Sequence, residues 1–277
     1  MLTRNAARIC LLAMLAACQP AGTDGDGQAE SGTSATDAAV STGSATGSGD
    51  AKDEAARKIA EENDLYTFGY AYPAPVAGIS GLKAVLDGRI EEERAALTKE
   101  AGQFKAEAQA NGFPYRQYSR DTTWSTVADL PGWLSLSAQS YVYTGGAHGM
   151  TNFDTLLWDK QADRMQEPTA LFTSTAALSA ALRTPFCDAL DKEREKRRGA
   201  PVVRSSDEMF NECIDPLEQT VILGSSNGKT FNRVGLLVPP YNAGPYAEGS
   251  YEVTLPVTQA VIDVVKPEYR DSFSIGR

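Results

Sequence analysis

The chain has 277 residues, of which 26 are lysine or arginine and 36 are aspartate or glutamate, so its formal net charge is −10. This excess of acids disfavours nucleic acid as a partner, because phosphate binding needs clustered basic side chains. The apolar fraction of 42% is ordinary for a globular protein of one large or two small domains. With only one histidine and four cysteines, the chain can form few sets of metal ligands, so we expect neither a metal nor another cofactor.

Residues 1–18 have the pattern of a bacterial lipoprotein signal peptide. Arg4 and Arg8 lead into a short apolar run that is too short to span a membrane permanently and that ends Leu-Ala-Ala-Cys at Cys18. This ending resembles a lipobox, which implies cleavage before Cys18 and attachment of lipid to its thiol. An ordinary signal peptide with a chance cysteine is the alternative. Gln19 implies sorting to the outer membrane, so we expect a periplasm-facing lipoprotein of the bacterial cell envelope.

Residues 19–56 are predicted to be a disordered acidic linker. Between residues 19 and 50 the sequence is rich in Gly, Ser, Thr and Ala, and it holds five acids but no lysine or arginine. Such a segment buries too little apolar surface to offset the entropy of ordering the chain. The linker would let the folded part stand about 30 Å away from the membrane.

The first half of the folded part is predicted to contain a short helix at residues 51–62, a strand at residues 65–70 and one long helix. The long helix is indicated by apolar residues at spacings of three, four and seven. These residues are Ile79, Leu82, Leu86, Ile90, Leu97, Ala101, Phe104 and Ala108. We expect Ser80 to cap the helix N-terminus and Asn111-Gly112 to end the helix.

Alternation on both sides of one glycine-rich stretch predicts a hairpin. The stretch of residues 143–149, Tyr-Thr-Gly-Gly-Ala-His-Gly, holds the only histidine of the chain. Residues 133–143 before it and residues 152–158 after it alternate with a period of two, as antiparallel strands over a core do. We therefore predict that the stretch connects two strands and that its three glycines supply positive φ angles.

The second half is predicted to open with a helix that Thr173 or Ser174 caps and that runs to Arg198. Pro185 would restart or kink this helix, since proline suits a first helical turn. Gly199 would end it. The basic residues of its last turn are interpreted as partners of the helix dipole rather than as a site for an anionic ligand.

Three further strands are predicted at residues 220–223, 230–238 and 251–255, around a long irregular loop at residues 239–249. A short helix at residues 259–265 would close the chain. The predicted fold class is therefore α+β, with antiparallel sheets packed with helices in two related or adjoining halves.

Two cysteines, Cys187 and Cys213, remain once the signal peptide is set aside. In an exported protein such a pair is most simply a disulfide. A free buried pair is the alternative.

Two parts of the sequence together carry a family resemblance. Residues 143–149 and residues 241–256 resemble the RsiV-like extracytoplasmic region, over roughly residues 60–265. The resemblance implies a PdaC-type N-terminal domain at residues 57–150 and an RsiV-type C-terminal domain at residues 151–277, each with a helix and an antiparallel sheet.

The resemblance implies a role in the cell envelope rather than a reaction. RsiV is a membrane-bound anti-sigma factor whose outer domain binds lysozyme, and PdaC carries the domain as an accessory beside a deacetylase. In this chain a lipobox stands in place of the transmembrane helix, and the several His and Asp ligands of a metal-dependent deacetylase are missing. We therefore expect neither sigma-factor release nor sugar deacetylation.

Six residues are candidates for ligand binding, and no catalytic residue is assigned. Tyrosines suit stacking on sugar rings, although the two in the second half could instead close a core. A pair of glycines could present backbone N–H groups to an anion, and the histidine is the natural acid–base group. No G-x-S-x-G motif accompanies it. The candidates are Tyr143, Gly145, Gly146, His148, Tyr241 and Tyr246.

The favoured hypothesis is a lipid-anchored, non-catalytic binding module of the cell envelope, attached to the membrane through its N-terminal lipid. Its partner would be peptidoglycan or a cationic secreted protein such as lysozyme, because an acidic surface steers cations. The alternatives are a cell-wall hydrolase that uses His148 and a structural envelope lipoprotein without a soluble ligand.

Overall fold

The computed structural model of the chain describes residues 55–277. The predicted signal peptide with Cys18, and the linker up to residue 54, lie outside the described residues. Between residues 55 and 277, no helix is both long enough and apolar enough to cross a membrane.

The first half is built on a six-stranded sheet. Its strands lie in sequence order, from β1 at one edge to β6 at the other. They are β1 (Ala55–Glu62), β2 (Tyr66–Pro73), β3 (Tyr118–Asp129), β4 (Trp133–Tyr143), β5 (Met150–Asp159) and β6 (Arg164–Gln166). Every neighbouring pair is antiparallel except β2 and β3, which are parallel. A parallel pair needs a long crossover connection, and a helix supplies it here.

The crossover consists of a short helix, α1 (Ala74–Ala77), and the predicted long helix, α2 (Ser80–Asn111). The predicted apolar face of α2 packs on the sheet, and Leu82, Leu86 and Ile90 are fully buried there. Gly112 ends the helix in the left-handed conformation, with φ 73°, as predicted.

The prediction that Ser80 caps α2 is wrong. Ser80 is the first helical residue, and Ile79 is the N-cap, without a side-chain hydrogen bond. Ile79 packs against the core of the first half, and its carbonyl accepts a hydrogen bond from the Lys83 amide at 2.8 Å. Apolar contact therefore sets the start of this helix.

The predicted helix at residues 51–62 is also wrong where the structure describes it, since β1 occupies residues 55–62. β1 pairs with β2 over seven residue pairs, including Ile59 with Tyr70. Side chains on one face of β1 reach α2. Arg57 bonds to Asp87 at 2.5 Å, and Glu61 accepts a hydrogen bond from Arg94 at 3.0 Å. Pairing with a free sheet edge outweighs the helical propensity of a segment rich in Ala, Lys and Glu.

The second half contains a three-stranded antiparallel sheet and the helix α3. The strands, in spatial order, are β7 (Thr220–Gly224), β8 (Arg233–Val238) and β9 (Tyr251–Pro256). The helix α3 (Thr175–Arg198) continues through its internal proline, and the hydroxyl of Ser174 caps it by accepting from the Ala177 amide at 3.1 Å. The short helix α4 (Gln259–Asp263) follows β9. The α+β class, with sheets packed with helices, is thereby confirmed.

The disulfide between Cys187 and Cys213 joins α3 to the segment before β7. The Cα atoms of the two cysteines are 5.4 Å apart, and the pair is 26 residues apart in sequence. Cys187 is buried in the core of the second half.

A shared core connects the two halves. Ala128, Trp133 and Leu157 of the first sheet pack with buried residues of α3 and of the second sheet. β4 is therefore buried on both faces near its start, and the indole of Trp133 donates to the Ser272 hydroxyl at 2.9 Å. All described residues belong to one compact unit. β5 pairs with β4 over ten residue pairs. The β4–β5 hairpin therefore crosses the predicted boundary between the two halves, which lies between residues 150 and 151.

Candidate functional site

The connection between β4 and β5, residues 144–149, is here called the hairpin tip. It lies against the irregular loop of residues 239–249, here called the second loop. The ring of His148 stacks on the ring of Tyr246, with 3.8 Å between centroids and 20° between planes. The hydroxyl of Tyr241 lies 3.2 Å from Nε2 of His148, across 93 residues of sequence. These three residues form the aromatic platform.

The aromatic platform is accessible to solvent. Tyr241 is 45% exposed, His148 is exposed, and Tyr246 is half-buried. The Tyr241 ring lies 5.8 Å from the Tyr246 ring and is tilted by 33° to it. The three ring planes therefore lie within 33° of one another, with polar atoms at the ring edges.

Hydrogen bonds at both ring nitrogens orient His148. Nδ1 lies 3.0 Å from the carbonyl of Gly149. Since a carbonyl only accepts, Nδ1 is the donor in this contact, and Nε2 lies within hydrogen-bond distance of the Tyr241 hydroxyl. Among the described residues, the phenol of Tyr241 is the side chain that hydrogen-bonds to His148. Among residues 55–277, no serine, cysteine or carboxylate side chain hydrogen-bonds to His148 as a nucleophile–base pair would require.

The glycines of the hairpin tip have different roles. Gly145 has φ 87°, but neither Gly146 nor Gly149 has a positive φ, so that part of the prediction is wrong. Gly149 instead leaves room for the ring of Tyr141, because a side chain at residue 149 would force the far end of the Tyr141 side chain to move. Tyr141 itself is 40% exposed beside the hairpin tip.

The backbone of the second loop is strained at the residue that touches His148. Tyr241 has φ 72°, a left-handed conformation that costs a non-glycine residue about 1–2 kcal/mol. Its amide donates to the Gly244 carbonyl at 3.0 Å, and the next side chain, Asn242, donates to Gln219 at 3.0 Å. Strain of this kind persists only where the surroundings determine the conformation.

Arginines at the end of α3 hold the second loop in place. Arg194 is fully buried and donates from Nε to the carbonyl of Ala243 at 2.9 Å. Arg198 bonds to both carboxylate oxygens of Glu248, at 2.9 and 3.1 Å, and Arg197 donates to the Glu248 carbonyl at 2.5 Å. Of the basic residues predicted to serve the helix dipole, Arg197 and Arg198 therefore bind this loop.

Glu248 is ionised in this setting. Burial opposes its charge, but hydrogen bonds from Arg198 and from the Tyr251 hydroxyl outweigh burial and lower the pKa of Glu248. Burial and the bond to Glu248 raise the pKa of Tyr251 to about 12. The guanidinium of Arg197 also lies over the Tyr251 ring, 3.8 Å from its centroid. The charged group is thus part of the support for the aromatic platform.

The structure brings three of the six candidate residues into contact with one another. His148, Tyr241 and Tyr246 form the aromatic platform, and Gly145 and Gly146 lie in the hairpin tip beside it. Tyr143 pairs with Ser119 of β3 at the end of β4 and makes none of the ring contacts of the platform. Sequence reasoning did not assign Tyr141, Arg198 or Glu248 to the site; the only local signal for the last two was their charge.

An open cleft of about 470 Å³ lies elsewhere, at the start of α2. Asp129, Lys160 and Asp163 are among its lining residues. Lys160 is already bound to Asp129 at 2.5 Å and to the carbonyl of Leu130 at 2.7 Å. Between residues 55 and 277, no group of three or more His, Cys, Asp or Glu side chains is placed to hold a metal ion. The aromatic platform is therefore the candidate site.

Residues 59–151 match the family model described as deacetylase PdaC. This match includes the hairpin tip with His148 but not the second loop. No curated protein matches the sequence.

Solved structures of two DUF3298 family proteins are similar to the chain. One, from Bacteroides fragilis NCTC 9343, has 16% sequence identity and a TM-score of 0.49, covering 79% of this chain and 94% of its own. The other, from Pseudomonas aeruginosa PAO1, has 17% identity and a TM-score of 0.45, covering 80% of this chain and 96% of its own.

Proposed function

We propose that the protein is a non-catalytic binding module of the bacterial cell envelope, and that the aromatic platform binds the sugar rings of peptidoglycan. The observation that carries this proposal is the exposed stack of His148 and Tyr246 beside Tyr241. Aromatic faces give a large apolar contact area, and the phenol and imidazole edges supply hydrogen-bonding groups. A sugar ring presents the complementary pattern, with C–H groups on its face and hydroxyls at its edge.

The support beneath the platform fits binding better than catalysis. The second loop is held by Arg194, Arg197 and Arg198, so its tyrosines are oriented before any ligand arrives. Preorganised side chains lose less entropy on binding. Both nitrogens of His148 are engaged by a carbonyl and a phenol, which leaves the ring suited to stacking.

The match of residues 59–151 to the PdaC model supports an extracytoplasmic accessory role. In the same proposal, Cys18 carries lipid in the outer membrane and the linker spans the gap to the cell wall. The linker would then set how far the binding module reaches, about 30 Å.

Co-sedimentation with purified peptidoglycan sacculi tests the proposal. The full chain should pellet with sacculi, and the Tyr246→Ala variant should bind about tenfold more weakly, because it removes the stacked ring. Ile275→Ala is the matched control, since Ile275 is a half-exposed apolar residue near the C-terminus. Failure of the unaltered chain to bind sacculi would contradict the proposal.

A cationic secreted protein such as lysozyme is the second candidate partner, favoured by the net charge of −10. Binding of this kind should weaken steeply as salt rises, since charge attraction is screened. It should also be insensitive to Tyr246→Ala. A pull-down with lysozyme at low and at high salt distinguishes this partner from a glycan.

A further inference from the structure

We propose that a second subsite lies on the other flank of the hairpin tip, formed by Phe113, Tyr115 and Arg116. Together with the aromatic platform, this subsite would bind an extended anionic glycan strand rather than a single sugar. The inference rests on the proposed function and names the form of its ligand.

Aromatic rings continue past the hairpin tip onto the end of α2. A side chain at Gly145 would lie 3.5 Å from the ring of Phe104 and 3.7 Å from that of Tyr118. The Phe104 ring in turn lies 5.8 Å from the ring of Phe113 and 6.2 Å from that of Tyr115. The hairpin tip therefore lies beside one aromatic group at Gly145 and contacts another through His148.

The outer members of the second aromatic group are open to solvent. Tyr118 is buried and Phe104 is partly buried, as expected of a structural cluster. Phe113, however, is 40% exposed, and Tyr115 is partly exposed beside it. These two side chains therefore present part of their apolar surface to a ligand.

Arg116 supplies a positive charge at the same place. Its guanidinium is exposed, and its hydrogen-bond partner is the carbonyl of Gly146 at 3.4 Å. No carboxylate of the described residues lies within ion-pair distance of it. In a chain with ten more acids than bases, an arginine at the hairpin tip that has no ion-pair partner among residues 55–277 favours a ligand that carries carboxylates. Peptidoglycan strands carry them on their peptide stems, whereas chitin oligomers are neutral.

The distance between the two groups suits a chain of sugars. Gly145 and His148 are three residues apart, so their Cα atoms are separated by at most about 11 Å. Both groups are therefore within reach of one short oligosaccharide strand. Two contacts on one strand bind more tightly than either alone, because the second contact is intramolecular.

The test compares chitin oligomers of two, four and six sugars with anionic peptidoglycan fragments, titrated calorimetrically into the full chain. Affinity should rise about tenfold from the shortest to the longest chitin oligomer, and Phe113→Ala should remove this rise while leaving the shortest oligomer bound. Arg116→Gln should weaken peptidoglycan fragments about fivefold and leave chitin unchanged. Tyr246→Ala should weaken every ligand, and Ile275→Ala none.

Each other outcome overturns a definite part of the inference. If both variants bind all ligands as the unaltered chain does, the second subsite is refuted while glycan binding stands. If Arg116→Gln weakens chitin and peptidoglycan equally, the anionic ligand is refuted. If the unaltered chain binds no glycan, both proposals fail together. Because Arg116 is exposed, its variant tests the subsite even if Phe113→Ala is unstable.

Discussion

Replacement of Arg198 by methionine should loosen the second loop and destabilise the protein. The side chains of Arg198 and Glu248 retain 21% and 16% of their exposure, so the pair is mostly removed from water. Removing one partner of a buried pair costs about 3–5 kcal/mol, because the other charge is left uncompensated. Glu248 keeps its bond from Tyr251 and some contact with water. We therefore expect a loss of about 2–3 kcal/mol, which lowers Tm by about 6–9 °C.

Arg204→Met is the matched control for this experiment. Arg204 also bonds to two carboxylates, those of Asp188 and Asp191, but its side chain is 41% exposed. Exposed pairs contribute about 0–1 kcal/mol. Urea unfolding followed by tryptophan fluorescence measures both variants. If Arg198→Met costs no more than Arg204→Met, the argument that Arg198 holds the second loop is refuted.

Three further predictions concern pH, the disulfide and the hairpin tip. Because folding lowers the pKa of Glu248, the ionised carboxylate stabilises the folded protein above the pKa of an unfolded glutamate, and this stabilisation is lost as pH falls through the lower folded pKa. Glu248→Gln should therefore reduce the loss of folding stability between pH 5 and 3. An unchanged loss in the variant contradicts this prediction. Replacing Cys187 and Cys213 together by serine should cost about 3.5 kcal/mol in the chain-entropy model, measured by urea unfolding, and a cost near zero contradicts it. Gly149→Ala should cost about 1–3 kcal/mol of folding stability through its clash with Tyr141. The same substitution should cost less when Tyr141 is already replaced by alanine. If Gly149→Ala costs the same with and without the Tyr141 ring, the clash is refuted.

Elements with a strong local pattern were predictable. The spacing of Leu82, Leu86 and Ile90 is the spacing of one helical face, and the structure buries those residues against the sheet. Gly112 ends α2 because the residue after the helix adopts the left-handed conformation, which favours glycine independently of the tertiary packing of the helix. Local preference and tertiary packing agree at these positions, so the sequence alone was sufficient.

The errors fall where packing opposes a local preference. Residues 55–62 have helical propensity, yet they add an edge strand to β2 because that edge offers unpaired backbone groups and α2 offers partners for Arg57. Ser80 is a good N-cap residue, yet burial of Ile79 moves the start of α2 by one position. Sequence windows contain neither the sheet edge nor the core surface that decides these cases.

The sequence by itself determined the elements on either side of the glycine–histidine stretch, the hairpin that it forms and the pairing of the two folded cysteines. Each of these depends on neighbours in sequence or on a choice among very few partners. Only the tertiary structure decided which residues surround His148. Tyr241 and Tyr246 lie more than ninety residues further along the chain, and arginines at the end of α3 hold them there. The aromatic platform exists because the two halves share a core, and no local pattern encodes that contact.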